Sequence, residues 1–192
     1  YYDGTQWCLM LEDFEGETIG EKKGFDFNDS NNNVGSATVV ADRLGKSNNS
    51  LNFITGNFKN GDYYYIDVTL PDSKTLSSFT NLIFDVVYIE GGDNKQKDIK
   101  VKIGDTSTSI DLGGFNSGDD PNTKEWRSQS FSLADKNIDS NKIRIYIGGY
   151  WVQNTNMLID NIRLSVKATP NGTCGSPTPE KVNWMLDGNT LY

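Results

Sequence analysis

Ten short runs rich in β-branched and aromatic residues, each bounded by Gly, Asn, Asp or Ser, set the terms on which this chain folds. They fall at 7–14, 36–41, 50–55, 63–70, 81–88, 99–103, 108–112, 126–133, 142–147 and 157–166. Short strands separated by turn clusters are the pattern of an all-β sandwich. The stretches 28–35, 91–97 and 113–122 read as loops, because their glycines and Asx residues supply positive φ angles and local hydrogen bonds. No segment sustains a helical period.

A chain of 192 residues is long enough for one such sandwich with a buried core. Only 35% of residues are hydrophobic, but nine Phe, nine Tyr and four Trp are too many for a disordered chain. After Val166 the composition turns to Ala168, Thr169, Pro170, Asn171, Gly172, Pro177 and Pro179, which suits a linker rather than a strand. The expected division is a sandwich over 1–167, then a Pro/Gly-rich linker and the start of a following segment over 168–192. Trp7 and Trp184 are expected to pack at the termini.

Several function classes drop out. Histidine is absent, which excludes Ser-His-Asp and Cys-His catalysis and histidine-based zinc sites. The net charge of −8, with 18 scattered basic residues, gives no footprint for nucleic acid or anionic lipid. No apolar run approaches the roughly 18 residues a membrane span needs. A soluble monomer is expected. The two cysteines, Cys8 and Cys174, are either bridged between neighbouring termini or left as two separate thiols.

Side chains alternate faces along a strand, so each run splits into a core set and an outward set. In 63–70 the set Tyr64, Ile66, Val68 and Leu70 belongs to the core, leaving Tyr63 and Tyr65 outward with Asp67 and Thr69. In 142–147 the three isoleucines face inward and Tyr146 faces outward with Lys142 and Arg144. Phe131 and Leu133 form the core set of their run, which puts Trp126 outward with Ser128 and Ser130. Exposed rings beside hydrogen-bonding groups suit a sugar, whose C–H face stacks while its rim of hydroxyls bonds to polar side chains such as Arg144, Asp85 and the amides. The same rings also suit edge covering or cross-strand pairing. Between two runs, Tyr150 and Trp151 are expected to project as a second platform or to fold back as a lid.

Two acidic stretches, Glu12-Asp13-Phe14-Glu15-Gly16 and Ile159-Asp160-Asn161-Ile162, lie at the ends of the run series. Spacing alone leaves them open between surface carboxylates and an oxygen-ligand cation site. Taken in order, Asp13-Phe14-Glu15-Gly16, the stretch from Tyr65 to Pro71 (YIDVTLP), the stretch from Leu82 to Asp85 (LIFD) and the stretch from Ile159 to Leu164 (IDNIRL) resemble the jelly-roll carbohydrate-binding modules of the galactose-binding-like superfamily. The likeness spans about residues 9–166 and is to family 4 and family 22 modules, including those inserted in family 10 glycoside hydrolase xylanases of gut bacteria.

That resemblance implies a β-sandwich jelly roll of two antiparallel sheets, with a structural Ca2+ held by Glu15 and Asp160. It also implies non-catalytic binding of xylan or β-glucan within a larger glycoside hydrolase outside the cytoplasm. The ligand contacts expected from the residues themselves, apart from that resemblance, are Tyr63, Tyr65, Tyr146 and Trp126 on a sheet face, or Tyr150 and Trp151 at a loop end. Two other readings stand beside it: a glycosidase using paired carboxylates, and a structural spacer or adhesion domain that binds no sugar.

Overall fold

The computed structural model describes residues 6, 8–21, 25–26, 35–41, 49–55, 63–71, 74–90, 98–104, 108–116, 125–136, 138, 140–148, 156–166, 172–174, 182–184, 186–187 and 190–191. All ten expected runs are strands. In chain order they are β1 (Cys8–Glu12), β3 (Gly35–Ala41), β4 (Asn49–Thr55), β5 (Tyr63–Thr69), β6 (Phe79–Glu90), β7 (Asp98–Gly104), β8 (Ser109–Asn116), β9 (Arg127–Ser132), β10 (Lys142–Gly148) and β11 (Asn156–Val166), with a two-residue β2 (Phe25–Asp26) after β1. The single helical element among the described residues is a 3-10 turn at Leu76–Ser78.

The strands form two antiparallel sheets packed face to face. The first has the order β3-β4-β11-β6-β9, with β1 also paired to β11; the second has the order β2-β5-β10-β7-β8. Non-consecutive neighbours in both sheets make this a jelly-roll sandwich. Four further short strands, β12 (Gly172–Cys174), β13 (Val182–Trp184), β14 (Leu186–Asp187) and β15 (Thr190–Leu191), pair only among themselves, β12 with β13 and β14 with β15. Short hairpins therefore occur where a linker is expected. Cys8 is buried, and the side chains of Cys174 and Trp184, like all of Trp7, fall outside the described residues.

The core is filled as the alternation requires. Tyr64 and Leu70 of the 63–70 run are buried, with Ile66 and Val68 packed against them, and Ile143, Ile145 and Ile147 of β10 are buried beside them. Facing them from the first sheet are Leu51, Phe53, Leu82, Phe84 and Ile159. Phe84 stacks on Phe131 at 5.6 Å between centroids and meets Phe115 of the second sheet edge-on at 5.6 Å. Each such ring pair contributes about 0.5–1.5 kcal/mol beyond its buried area.

The expected loop at 113–122 begins later than its composition suggests. β8 runs on to Asn116 through a bulge between Val101 and Lys102, where Gly113 has φ +100°. Glycine alone takes that angle without strain, so the residue that reads as a turn serves instead to re-aim a strand.

Candidate functional site

The outward residues of β5 and β10 meet in register. Tyr146 lies opposite Tyr65, Arg144 opposite Asp67, and Lys142 opposite Thr69; on the other side of β10, Tyr146 lies opposite Lys102 of β7. The Tyr146 ring is edge-on to Tyr63 at 6.0 Å and tilted against Tyr65 at 6.4 Å. Lys102 places its Nζ 4.5 Å from the centre of the Tyr63 ring, and the Arg144 guanidinium sits 4.0 Å over Tyr65. Arg144 Nε and Nη2 donate to the two carboxylate oxygens of Asp67 at 2.6 and 2.7 Å. That fork holds the Asp67 carboxyl below its ordinary pKa against the opposing effect of burial, and holds the guanidinium protonated even more firmly than usual.

Three of the six residues expected to contact a ligand, Tyr63, Tyr65 and Tyr146, thus form one row on the second sheet. They are less open than the alternation suggests. Tyr63 and Tyr146 retain only 6% and 9% of their exposure, and Tyr65 is half-buried. Trp126 is half-buried and precedes β9, an edge strand of the first sheet, so topology sets it apart from this row. Its indole Nε1 is buried without a hydrogen-bond partner. Tyr150 and Trp151 lie outside the described residues.

Asp85 also belongs to the first sheet. Its carboxylate accepts hydrogen bonds from Ser128 Oγ, from Asn161 Nδ2 at 3.1 Å and from Arg163 Nη1 at 3.2 Å, and so is engaged within the protein rather than placed among the tyrosines.

Glu15 lies in the turn after β1, and Asp160 lies in β11 where that strand changes partner. β11 pairs with β4 over Asn156–Ile159 and with β1 over Ile162–Ser165, and it changes partner across Asp160 and Asn161, the latter at φ +51°. The turn after β1 fills the gap between β1 and β4. Phe14, at φ +59°, is fully buried there, and Asn49 at the start of β4 clamps the turn: its Nδ2 donates to the Phe14 and Glu17 carbonyls at 3.1 and 3.3 Å, and its backbone N–H to Glu15 Oε1 at 3.3 Å. Asp160 is 2% exposed and accepts the Asn161 N–H at 2.7 Å. Next to Asn49, the Ser50 hydroxyl is fully buried with no hydrogen-bond partner. Among the described residues no three acidic side chains gather as a ready metal cage. The Phe14 and Glu17 carbonyls and the Glu15 and Asp160 carboxylates are oxygen groups of the kind a calcium ion takes, and each also accepts a hydrogen bond from within the protein.

Burial pushes the phenol of Tyr64 well above its usual pKa, with the nearby Glu12 and Glu17 charges adding to the shift. Burial raises Tyr88 as well, against a smaller opposing effect of Arg127. Both are neutral core groups at any ordinary pH, and neither is matched to acid–base chemistry.

Comparison with known proteins places the fold. No protein-family model matches the chain, and no curated protein matches it. Among solved structures, the family 11 carbohydrate-binding module of a cellulosomal cellulase of Clostridium thermocellum matches with a TM-score of 0.51 at 15% identity, over 88% of this chain and 99% of that one. The CBM27-1 module of Caldicellulosiruptor saccharolyticus, solved with mannohexaose, matches with a TM-score of 0.50 at 15% identity, over 85% and 99%. The K2 cleaved adhesin domain of Lys-gingipain matches with a TM-score of 0.53 at 12% identity, over 84% and 98%. The chain has the β-sandwich fold that carbohydrate-binding modules use.

Proposed function

We propose that this chain is a non-catalytic module that binds polysaccharide, xylan or β-glucan, and holds a parent glycoside hydrolase on its substrate outside the cytoplasm. The observation that carries the reading is the row of Tyr63, Tyr146 and Tyr65 on one sheet face, with Arg144 and Asp67 locked beside it. The half-buried Tyr65 ring, held at fixed tilt by its neighbours, offers a stacking surface at little entropic cost, and the ion pair supplies donors and acceptors for hydroxyls. Attachment raises the effective concentration of the parent enzyme at the polymer without any chemistry in the module itself.

Calcium belongs to the same proposal. Glu15, Asp160 and the carbonyls of the β1 turn would hold the ion, which would tie β1 and β4 together across the partner change in β11. Affinity gel electrophoresis against xylan, β-glucan, galactomannan and a glycan-free gel, with and without a calcium chelator, tests both parts. Retardation by xylan or β-glucan is expected, as is a lower unfolding temperature in chelator that added Ca2+ restores. Chelation that leaves the unfolding temperature unchanged would remove calcium from the account.

The likeness to an adhesin domain supports a second reading, an adhesion or spacer domain that binds no sugar. Equal mobility of the folded protein in every gel would establish it over the first.

A further inference from the structure

The tyrosine face carries charge unlike the chain as a whole. The net charge is −8, yet half of the Lys and Arg residues among the described ones stand on this outer face: Lys100 and Lys102 of β7, and Lys142 and Arg144 of β10. Arg144 is matched by Asp67. Among the described residues Lys100, Lys102 and Lys142 form no ion pair. Asp111 stands opposite Lys102 in register, but its carboxylate accepts the Gly113 N–H at 2.6 Å instead. Lys100 and Lys102 are moreover half-buried, and the Lys102 ammonium rests over the Tyr63 ring.

A neutral sugar laid over these rings would strip water from ammonium groups and give them no counter-charge, which costs free energy. A sugar with a carboxylate would offset that loss. We therefore propose that the tyrosine face selects glycans bearing uronic-acid carboxylates, with the half-buried Tyr65 ring stacking the sugar and Lys100, Lys102 and Lys142 receiving its charge. The inference rests on the polysaccharide-binding reading above and names the sugar class of the same site. General attraction to polyanions is a poor rival explanation, because the acidic chain as a whole repels them.

The test compares the affinity of the whole chain for xylan substituted with glucuronic acid, for the same xylan after its carboxyls are reduced to alcohols, and for polyglutamate, each at low and high salt. At low salt the acidic xylan is expected to bind about five- to tenfold more tightly than its reduced form, the sum of a few exposed charge pairs. High salt and the double substitution Lys102→Gln with Lys142→Gln should each bring that ratio towards one. Equal affinity for the two xylans at low salt overturns the charge selection and leaves polysaccharide binding standing. Failure to bind either, with the protein folded, overturns both. Polyglutamate bound as tightly as acidic xylan would overturn the requirement for a sugar.

Discussion

The outer faces of the two sheets both carry charged residues, but the charges are used differently. On the first sheet Arg163 is 7% exposed and donates to Asp85 and to the Asn161 carbonyl, while Asp85 also accepts from Asn161 and Ser128. Ile83, Val87 and Leu158 on the same side are buried. On the second sheet, among the described residues, Arg144 is paired with Asp67 and the three lysines beside it form no ion pair. Polar groups that satisfy one another fix a structure, whereas those left without partners are free to meet a ligand.

Breaking the closed network should have the largest effect. Arg163→Ala would leave Asp85 without its cation in a mostly buried site and is expected to cost about 2–4 kcal/mol in urea unfolding. A loss under roughly 0.5 kcal/mol, the size of an ordinary surface substitution, would show that the two faces do not differ as described. Next comes Tyr146→Ala, which removes the ring between Tyr63 and Tyr65. A stability loss of about 1–2 kcal/mol accompanied by weaker glycan retention is expected, since that ring is nearly buried.

Tyr65→Ala separates the two roles more cleanly. Its ring is half-buried, and affinity for the bound glycan should fall about five- to tenfold, the worth of one stacking contact, with a smaller change in unfolding temperature. An unchanged dissociation constant would remove Tyr65 from the binding surface. The smallest effect concerns pH. The pKa of Asp67 is lowered in the fold, so its pairing with Arg144 contributes fully above the ordinary Asp value of about 3.9 and is lost as pH falls through the lowered one. Wild-type and Asp67→Asn proteins should therefore differ in unfolding temperature at pH 6 and converge in stronger acid. A difference that persists below about pH 2 would rule out the ion pair as its source.

Alternation made both the strands and the tyrosine row legible in the sequence. A period of two sorts Tyr63, Tyr65 and Tyr146 from Tyr64 and the isoleucines whichever strands are neighbours. What alternation does not carry is which strands pair. Trp126 precedes β9, which joins β6 rather than β5 or β10, and only the closing of both sheets decides that. Burial of Tyr63 and Tyr146 was hidden for a related reason, since contacts such as that of Tyr63 with Tyr146 and Lys102 join neighbouring strands. The two residues of β2 are too few to show a period at all, and Gly113 carries the same signal in a bulge as in a turn. Glu15 and Asp160 were joined by resemblance alone, since alternation says nothing of a turn such as the one that carries Glu15.

The partner change in β11 also bears on the order in which the molecule can assemble. Cys8 pairs with Ser165, and the same strand holds β4 and β6, so three strands made earlier wait on one made last. Contacts so distant along the chain require large loops to close before they return any stability, which slows folding. A nascent chain emerging from the ribosome would hold β1, β4 and β6 without their common neighbour until residues 156–166 are clear. During that interval their unpaired edges are open to pairing with other chains.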